Sequence, residues 1–205
     1  MSTRGLQKEA TRQRVVAAAR DLFDSHGYEA TTVREIARRA GVSVGSVFTT
    51  FRSKGDVLSQ VMEERLGALY SELDRMTPKL RGSTCDRLRS IFAIHCGFEA
   101  SRHRLFLAHI AAAYDWTASG DARPYGRTPR LREIIGDCLA DGVARGDVDP
   151  RADMAQIVDL LMAAYAWTYR LVAWEGADAE TLSGVMDRQI GLIAQGFEPR
   201  ALQSA

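Results

Sequence analysis

Cysteine is scarce in this chain, and the three present, Cys85, Cys96 and Cys138, are odd in number and widely spaced. That excludes a disulfide scaffold, and the absence of any Cys-x-x-Cys pair excludes a zinc finger; reduced thiols packed in the core of a cytoplasmic protein are expected. No apolar core follows the charged N-terminal residues, so no secretory signal is expected. Long uncharged apolar runs are also missing. The most membrane-like stretch, residues 157–174, contains Asp159 and Arg170 and reads as a buried helix. There is no G-x-S-x-G elbow, P-loop, H-E-x-x-H or glycine-rich strand-to-helix turn. An enzyme is therefore not expected, and neither is a cofactor. Internal repeats, low-complexity tracts and convincing strands are absent too.

What remains is a helical chain with 46% apolar residues, enough for one small and one medium domain. Thr32 and Glu35 form a capping box that opens a helix, and Val33, Ile36, Ala37 and Ala40 give it one apolar face. Gly41 supplies the left-handed stop and Ser43 the next cap, which leaves a very short connection. In the second helix Val42, Val47 and Phe51 are the apolar anchors, so Val44, Ser46, Thr49 and Thr50 face outward. Two helices joined in this way make either a helix-turn-helix that reads DNA or an ordinary hairpin in a bundle. Ser53 and Asp56 form a weaker box opening a third helix beside Lys54, a ready phosphate site. Upstream, Val15, Ala19, Leu22 and Phe23 line a helix that ends at Gly27.

Charge favours the DNA reading. Residues 1–55 hold ten basic and five acidic residues, a balance of +5, and because the whole chain carries +1 the remainder carries −4.

The run F-x-x-x-G-Y-x-x-T-T-V-x-x-I-A-x-x-A-G-V-S-x-G-x-x-F-x-x-F-x-S-K, residues 23–54, resembles the DNA-binding domain of the tetracycline repressor (TetR) family. The resemblance implies an all-α fold, with a three-helix DNA-binding domain at 1–55 and a larger helical effector-binding and dimerisation domain at 56–205. It implies DNA contacts from Thr32, Ser43, Val44, Gly45, Ser46, Phe48, Thr49, Thr50, Arg52 and Lys54. The chain departs from the family pattern where Phe48 stands for the usual Tyr, Thr49 and Thr50 for frequent His or Tyr, and Val44 for a frequent Lys or Arg. The reading helix is thus uncharged, and its Thr and Val methyls suit thymine methyl groups. Phosphate anchoring falls to Ser43, Arg52, Lys54 and the arm carrying Arg4, Lys8, Arg12 and Arg14.

Beyond residue 56 the pattern predicts a long helix ending before Pro78, two apolar helices at about 85–100 and 103–116, and a polar loop at 117–130. An amphipathic helix then closes at Gly146, in a run R-G-D-V-D-P also similar to the family, and Asp149-Pro150 is expected to open the next helix. The helix over 154–174 is apolar nearly all round, and the final helix carries an apolar stripe. Leu160, Leu161, Tyr165, Leu182, Val185, Met186, Ile190 and Ile193 are expected at a homodimer interface, burial within one protomer being the alternative. Phe92, His95, Phe98, Glu99, His103, Phe106, His109, Tyr114 and Tyr165 are the candidates for a small-molecule effector pocket, although an aromatic stripe also fits a plain core. His95, Glu99 and His103 fall at i, i+4 and i+8 beside Cys96, but Ser101-Arg102 interrupts the helix, so no metal site is expected.

The function expected is a DNA-binding transcriptional regulator, a repressor released from a palindromic operator by a largely apolar effector. The alternatives are an effector-free architectural dimer and a helical enzyme.

Overall fold

The computed structural model describes residues 3–102, 104–108, 129–176 and 178–199. The eight long elements are α1 (Thr3–His26), α2 (Val33–Ala40), α3 (Val44–Thr50), α4 (Lys54–Met76), α5 (Thr84–Ala100), α6 (Pro129–Arg145), α7 (Met154–Glu175) and α8 (Ala179–Ala194). A short 3₁₀ turn, Thr77–Lys79, follows α4, with Pro78 in its first turn. No strand occurs among the described residues, in line with the all-α expectation.

The chain divides into two compact units. The first takes in residues up to 68 together with Arg102 and the helical stretch 104–108. In it α1, α2 and α3 pack on one another around Val15, Ala19, Phe23, Ile36, Val47 and Phe51, all buried. Burying each large side chain of this kind contributes about 1.5–3 kcal/mol. Phe23 meets the Tyr28 ring edge-on at 5.3 Å. Val57, Leu58, Val61 and Met62 on the first half of α4 are buried as well. After α5, Arg102 pairs with Asp24, and Leu105 and Phe106 are buried.

The second unit runs over 69–101 and from 129 onward in the described residues. There α5 packs on α6 and α8, and α7 packs on α6 and α8. A capping box starts α5: Ser83 Oγ accepts from the Asp86 amide at 3.2 Å, and the Asp86 carboxylate accepts from the Ser83 amide at 3.0 Å. The Ser83 hydroxyl, which donates to the same carboxylate at 2.7 Å, and after it the Ser83 amide hold the Asp86 carboxyl below its usual range.

One close approach fixes α6 against the start of α5. A methyl group on Gly142 would lie 2.1 Å from Thr84 Oγ1 and 2.6 Å from a Val148 methyl, so no larger residue fits. Thr84 in turn donates through its amide (2.6 Å) and hydroxyl (2.9 Å) to Asp147, while Arg145 donates to Thr84 Oγ1 at 2.9 Å.

The start of α7 differs from expectation. Its cap is Asp153, which accepts from the Gln156 amide at 3.0 Å, whereas Asp149 heads a separate turn closed by the Ala152 amide. The Asp149 amide is taken by the Phe197 carbonyl at 2.8 Å, a tie that holds it out of the helix. Of the polar loop expected at 117–130, residues 117–128 lie outside the described residues, and α6 already begins at Pro129.

Candidate functional site

The helix pair is built as its residues require. Thr32 Oγ1 accepts from the Glu35 amide at 3.3 Å, and Glu35 Oε2 accepts from the Thr32 amide and hydroxyl, each at 2.8 Å. The Thr32 amide bond is the first cause of a Glu35 carboxyl lowered from its usual range. Gly41 ends α2 at φ 65°, a left-handed conformation that glycine adopts without steric cost, with its amide directed at the Ala37 and Arg38 carbonyls. Ser43 then caps α3 by accepting from the Ser46 amide at 3.0 Å.

Burial sorts the α3 residues into two sets. Val47 and Phe51 are inside, while Val44, Gly45, Phe48 and Thr49 are exposed together on one face and Ser46 and Thr50 are half-buried. Thr32, Ser43 and Arg52 are exposed at the ends of the pair.

Two basic residues are placed otherwise than expected. Lys54, expected on a phosphate, points inward. Its Nζ donates to the carbonyls of Tyr28 (2.8 Å), Thr31 (3.1 Å) and Glu29 (3.4 Å) and sits 4.2 Å from the centre of the Tyr28 ring. An ammonium has three hydrogens, and three carbonyls take them. Arg12 bonds the Gln60 side chain and lies 5.4 Å from the Phe51 ring, so it props α4 and the end of α3. Lys8 and Arg14 are exposed, and the Arg4 side chain lies outside the described residues.

In the second unit the structure brings together Phe92, His95, Glu99 and Tyr165 of the expected effector pocket. The Tyr165 hydroxyl and His95 Nδ1 are hydrogen-bonded, and the Tyr165 hydroxyl also donates to Tyr169 Oη at 3.1 Å. His95 meets the Tyr165 ring edge-on at 5.0 Å, Phe92 lies 5.6 Å from it, and Tyr70 lies 6.0 Å from His95. Burial pushes His95 down to about 3, so its imidazole is neutral, and it raises Tyr165 and Tyr169 well above the usual phenol value. Cys96, within reach of Tyr169, is pushed up to about 11 by burial.

Tyr169 and Tyr70 also belong to this cluster, beyond the residues expected from the sequence. The signal available was the i, i+4 spacing of Tyr165 and Tyr169 on one helix. Phe98 is half-buried, and Phe106 belongs to the first unit. His103, His109 and Tyr114 lie outside the described residues. Among the described residues no group of three His, Cys, Asp or Glu side chains is placed to hold a metal.

A separate cleft of about 390 Å³ is bordered by Asp74, Arg87, Arg130, Asp137 and Asp141 over Ile91 and Ile134. It includes none of the expected pocket residues.

The expected dimer residues also divide. Leu161, Tyr165, Leu182, Met186 and Ile190 face inward and are buried within the protomer. Buried to this degree, they have no surface left for a partner. Leu160 is exposed, Val185 and Ile193 are half-buried, and Trp167 (58% exposed) and Leu192 (68% exposed) are large apolar side chains left in solvent beside them in sequence register. No described helix is long and apolar enough to cross a membrane.

Comparison with known proteins adds to this picture. Residues 15–61 match the family model for bacterial regulatory proteins, tetR family. The chain is 26% identical over 195 residues to the HTH-type transcriptional regulator HbdR of Aromatoleum sp., covering 92% of this chain and 81% of that one. It is 28% identical over 153 residues to the HTH-type transcriptional repressor KstR2 of Mycolicibacterium smegmatis, covering 72% of each. Among solved structures, Thermus thermophilus FadR in complex with lauroyl-CoA aligns with TM-score 0.74 at 22% identity, over 95% of this chain and 98% of that one. That likeness shows the fold.

Proposed function

The chain belongs to the TetR family of bacterial transcriptional regulators, and from that premise we propose that it acts in the cytoplasm as a dimeric repressor, released from a palindromic operator by an acyl-CoA thioester. The observation that carries the DNA half of this reading is the α3 face. Val44, Gly45, Phe48 and Thr49 stand exposed on a helix whose other side is locked by Val47 and Phe51, the arrangement by which a second helix enters a major groove. Ser43 and Arg52 flank it and are the proposed phosphate contacts, with Lys8 and Arg14 from α1; Lys54 is left out because its hydrogens are already taken.

The exposed apolar side chains Leu160, Trp167 and Leu192 on α7 and α8 support a two-fold contact between copies, and two-fold symmetry calls for an operator with matching half-sites. The effector class is supported by the family fold shared with FadR proteins bound to lauroyl-CoA and stearoyl-CoA. It is also supported by an aromatic interior with few polar points, His95, Glu99, Tyr165 and Tyr169. A ligand changes DNA affinity only through unequal affinity for the two states of the protein, so the acyl compound must bind the released state better.

Selection from random duplexes by the purified protein, followed by gel shift with and without lauroyl-CoA, tests both halves. An enriched palindrome whose complex dissociates on adding the thioester supports the proposal. Salt-sensitive binding without sequence preference would instead indicate an architectural protein.

A further inference from the structure

The threonine hydroxyls of α3 are committed to the helix itself. Thr49 Oγ1 donates to the Gly45 carbonyl at 2.9 Å and Thr50 Oγ1 to the Ser46 carbonyl at 3.1 Å. Ser43 Oγ and Ser46 Oγ lie 2.8 Å apart, so one hydroxyl hydrogen is held between them. A Thr hydroxyl has a single hydrogen to give, and those of Thr49 and Thr50 are given to the backbone. Nor does α3 hold any Arg, Lys, Asn or Gln, the side chains that pair in bidentate fashion with guanine or adenine.

What α3 offers to solvent is carbon. Phe48 is 52% exposed and Val44 36% exposed, one helical turn apart, and Thr49 is exposed with its hydroxyl turned back, which leaves its methyl. On the major-groove edges of B-DNA the one apolar group is the C5 methyl of thymine. Cytosine methylated at C5 carries the same group at the same ring position.

We propose that α3 selects its half-site through the pyrimidine 5-methyl group, with Val44, Phe48 and Thr49 as the reading face and hydrogen-bonded base pairing of side chains contributing little. The inference rests on the DNA-binding role proposed above and specifies its chemistry. Such a face accepts thymine, accepts 5-methylcytosine in part, and discriminates against unmethylated cytosine and against uracil.

The experiment starts from the palindrome enriched by the full-length protein and replaces each half-site thymine in turn by deoxyuridine, which keeps O4 and removes only the methyl. Binding weakens about fourfold at each thymine that meets α3, as expected for one methyl group withdrawn from apolar contact, and is unchanged elsewhere. Cytosine at such a position binds more weakly than 5-methylcytosine. Thr49→Val keeps the deoxyuridine penalty, because the methyls remain, and Thr49→Ser abolishes it at one position. The DNA substitutions need no altered protein, so misfolding cannot imitate the result. Equal binding of deoxyuridine and thymidine duplexes at every position overturns the proposal while leaving the repressor reading intact, as does an enriched half-site without thymine. Failure to enrich any sequence overturns both.

Discussion

Lys54 Nζ donates to the Tyr28 carbonyl at 2.8 Å and lies over the face of the same residue's ring, 4.2 Å from its centre. One side chain therefore joins the first turn of α4 to the turn between α1 and α2 by a charge-assisted hydrogen bond and a cation–π contact at once. Burial and the neighbouring Glu29 raise the Tyr28 phenol above its usual value, so the ring stays neutral beneath the ammonium.

Lys54→Ala is expected to destabilise the first unit by roughly 2 kcal/mol, the scale of hydrogen bonds made by a charged donor. The dependence of operator binding on salt stays as in the unaltered protein. Arg52→Ala gives the reverse pattern, near-normal stability with a salt slope smaller by about one phosphate contact. Urea denaturation and gel shifts across a salt series separate the two; a flattened slope for Lys54→Ala would return that residue to the DNA backbone.

Gly142→Ala is a probe of the second unit. The added methyl meets Thr84 Oγ1 at 2.1 Å, and Thr84 cannot retreat without loosening its bonds to Asp147 and Arg145. A loss of about 1–3 kcal/mol is expected, the usual cost of overfilling a close-packed contact. Thr84→Ser in the same background leaves the oxygen in place and should not rescue it, which a denaturant midpoint reads directly.

Stability should fall with pH through His95. Burial holds its folded-state value near 3, against 6.5 for an exposed imidazole, so the unfolded chain takes up a proton that the folded one refuses. Its contribution is complete above pH 6.5 and is lost as the pH falls toward 3. Between pH 6.5 and 5 the loss approaches about 2 kcal/mol, from 1.36 kcal/mol per pH unit for one proton. His95→Gln retains a hydrogen-bonding side chain but cannot ionise, and its stability curve over that interval should be flatter by this amount.

The outward and inward stripes of the last two helices predict different fates for the same substitution. Leu160→Asp or Leu192→Asp should yield a folded monomer by analytical ultracentrifugation, with operator affinity lost. Met186→Asp, at a fully buried position, should unfold the second unit instead. A folded dimer carrying both Leu160→Asp and Leu192→Asp would refute the assigned face.

The parts legible in the sequence are those whose partners lie within a turn of each other. The Thr32–Glu35 box, the Gly41 stop and the Ser43 cap each need only residues three or four positions apart, so their spacing already states their geometry. Lys54 reads as a surface cation because its three acceptors are 23 to 26 positions upstream. On α7, Leu160 and Leu161 are identical in chemistry, one 48% exposed and the other fully buried, and where almost every position is apolar no periodicity separates inside from outside. Asp149 and Asp153 are equally good caps, and the choice is made by the distant Phe197 carbonyl. Likewise Tyr169 joins the polar cluster only because α5 and α7 both pack on α6 and α8, which sets His95 beside Tyr165.

Cys85, Cys96 and Cys138 are all buried in the second unit, with burial raising Cys85 and pushing the other two up to about 11. The first unit contains no thiol. Alkylating reagents attack the thiolate, which is both inaccessible and scarce here until the surrounding helices part. The rate of thiol labelling is thus a clock for opening of the second unit alone, and its slowing on addition of an effector would time ligand residence without any introduced label.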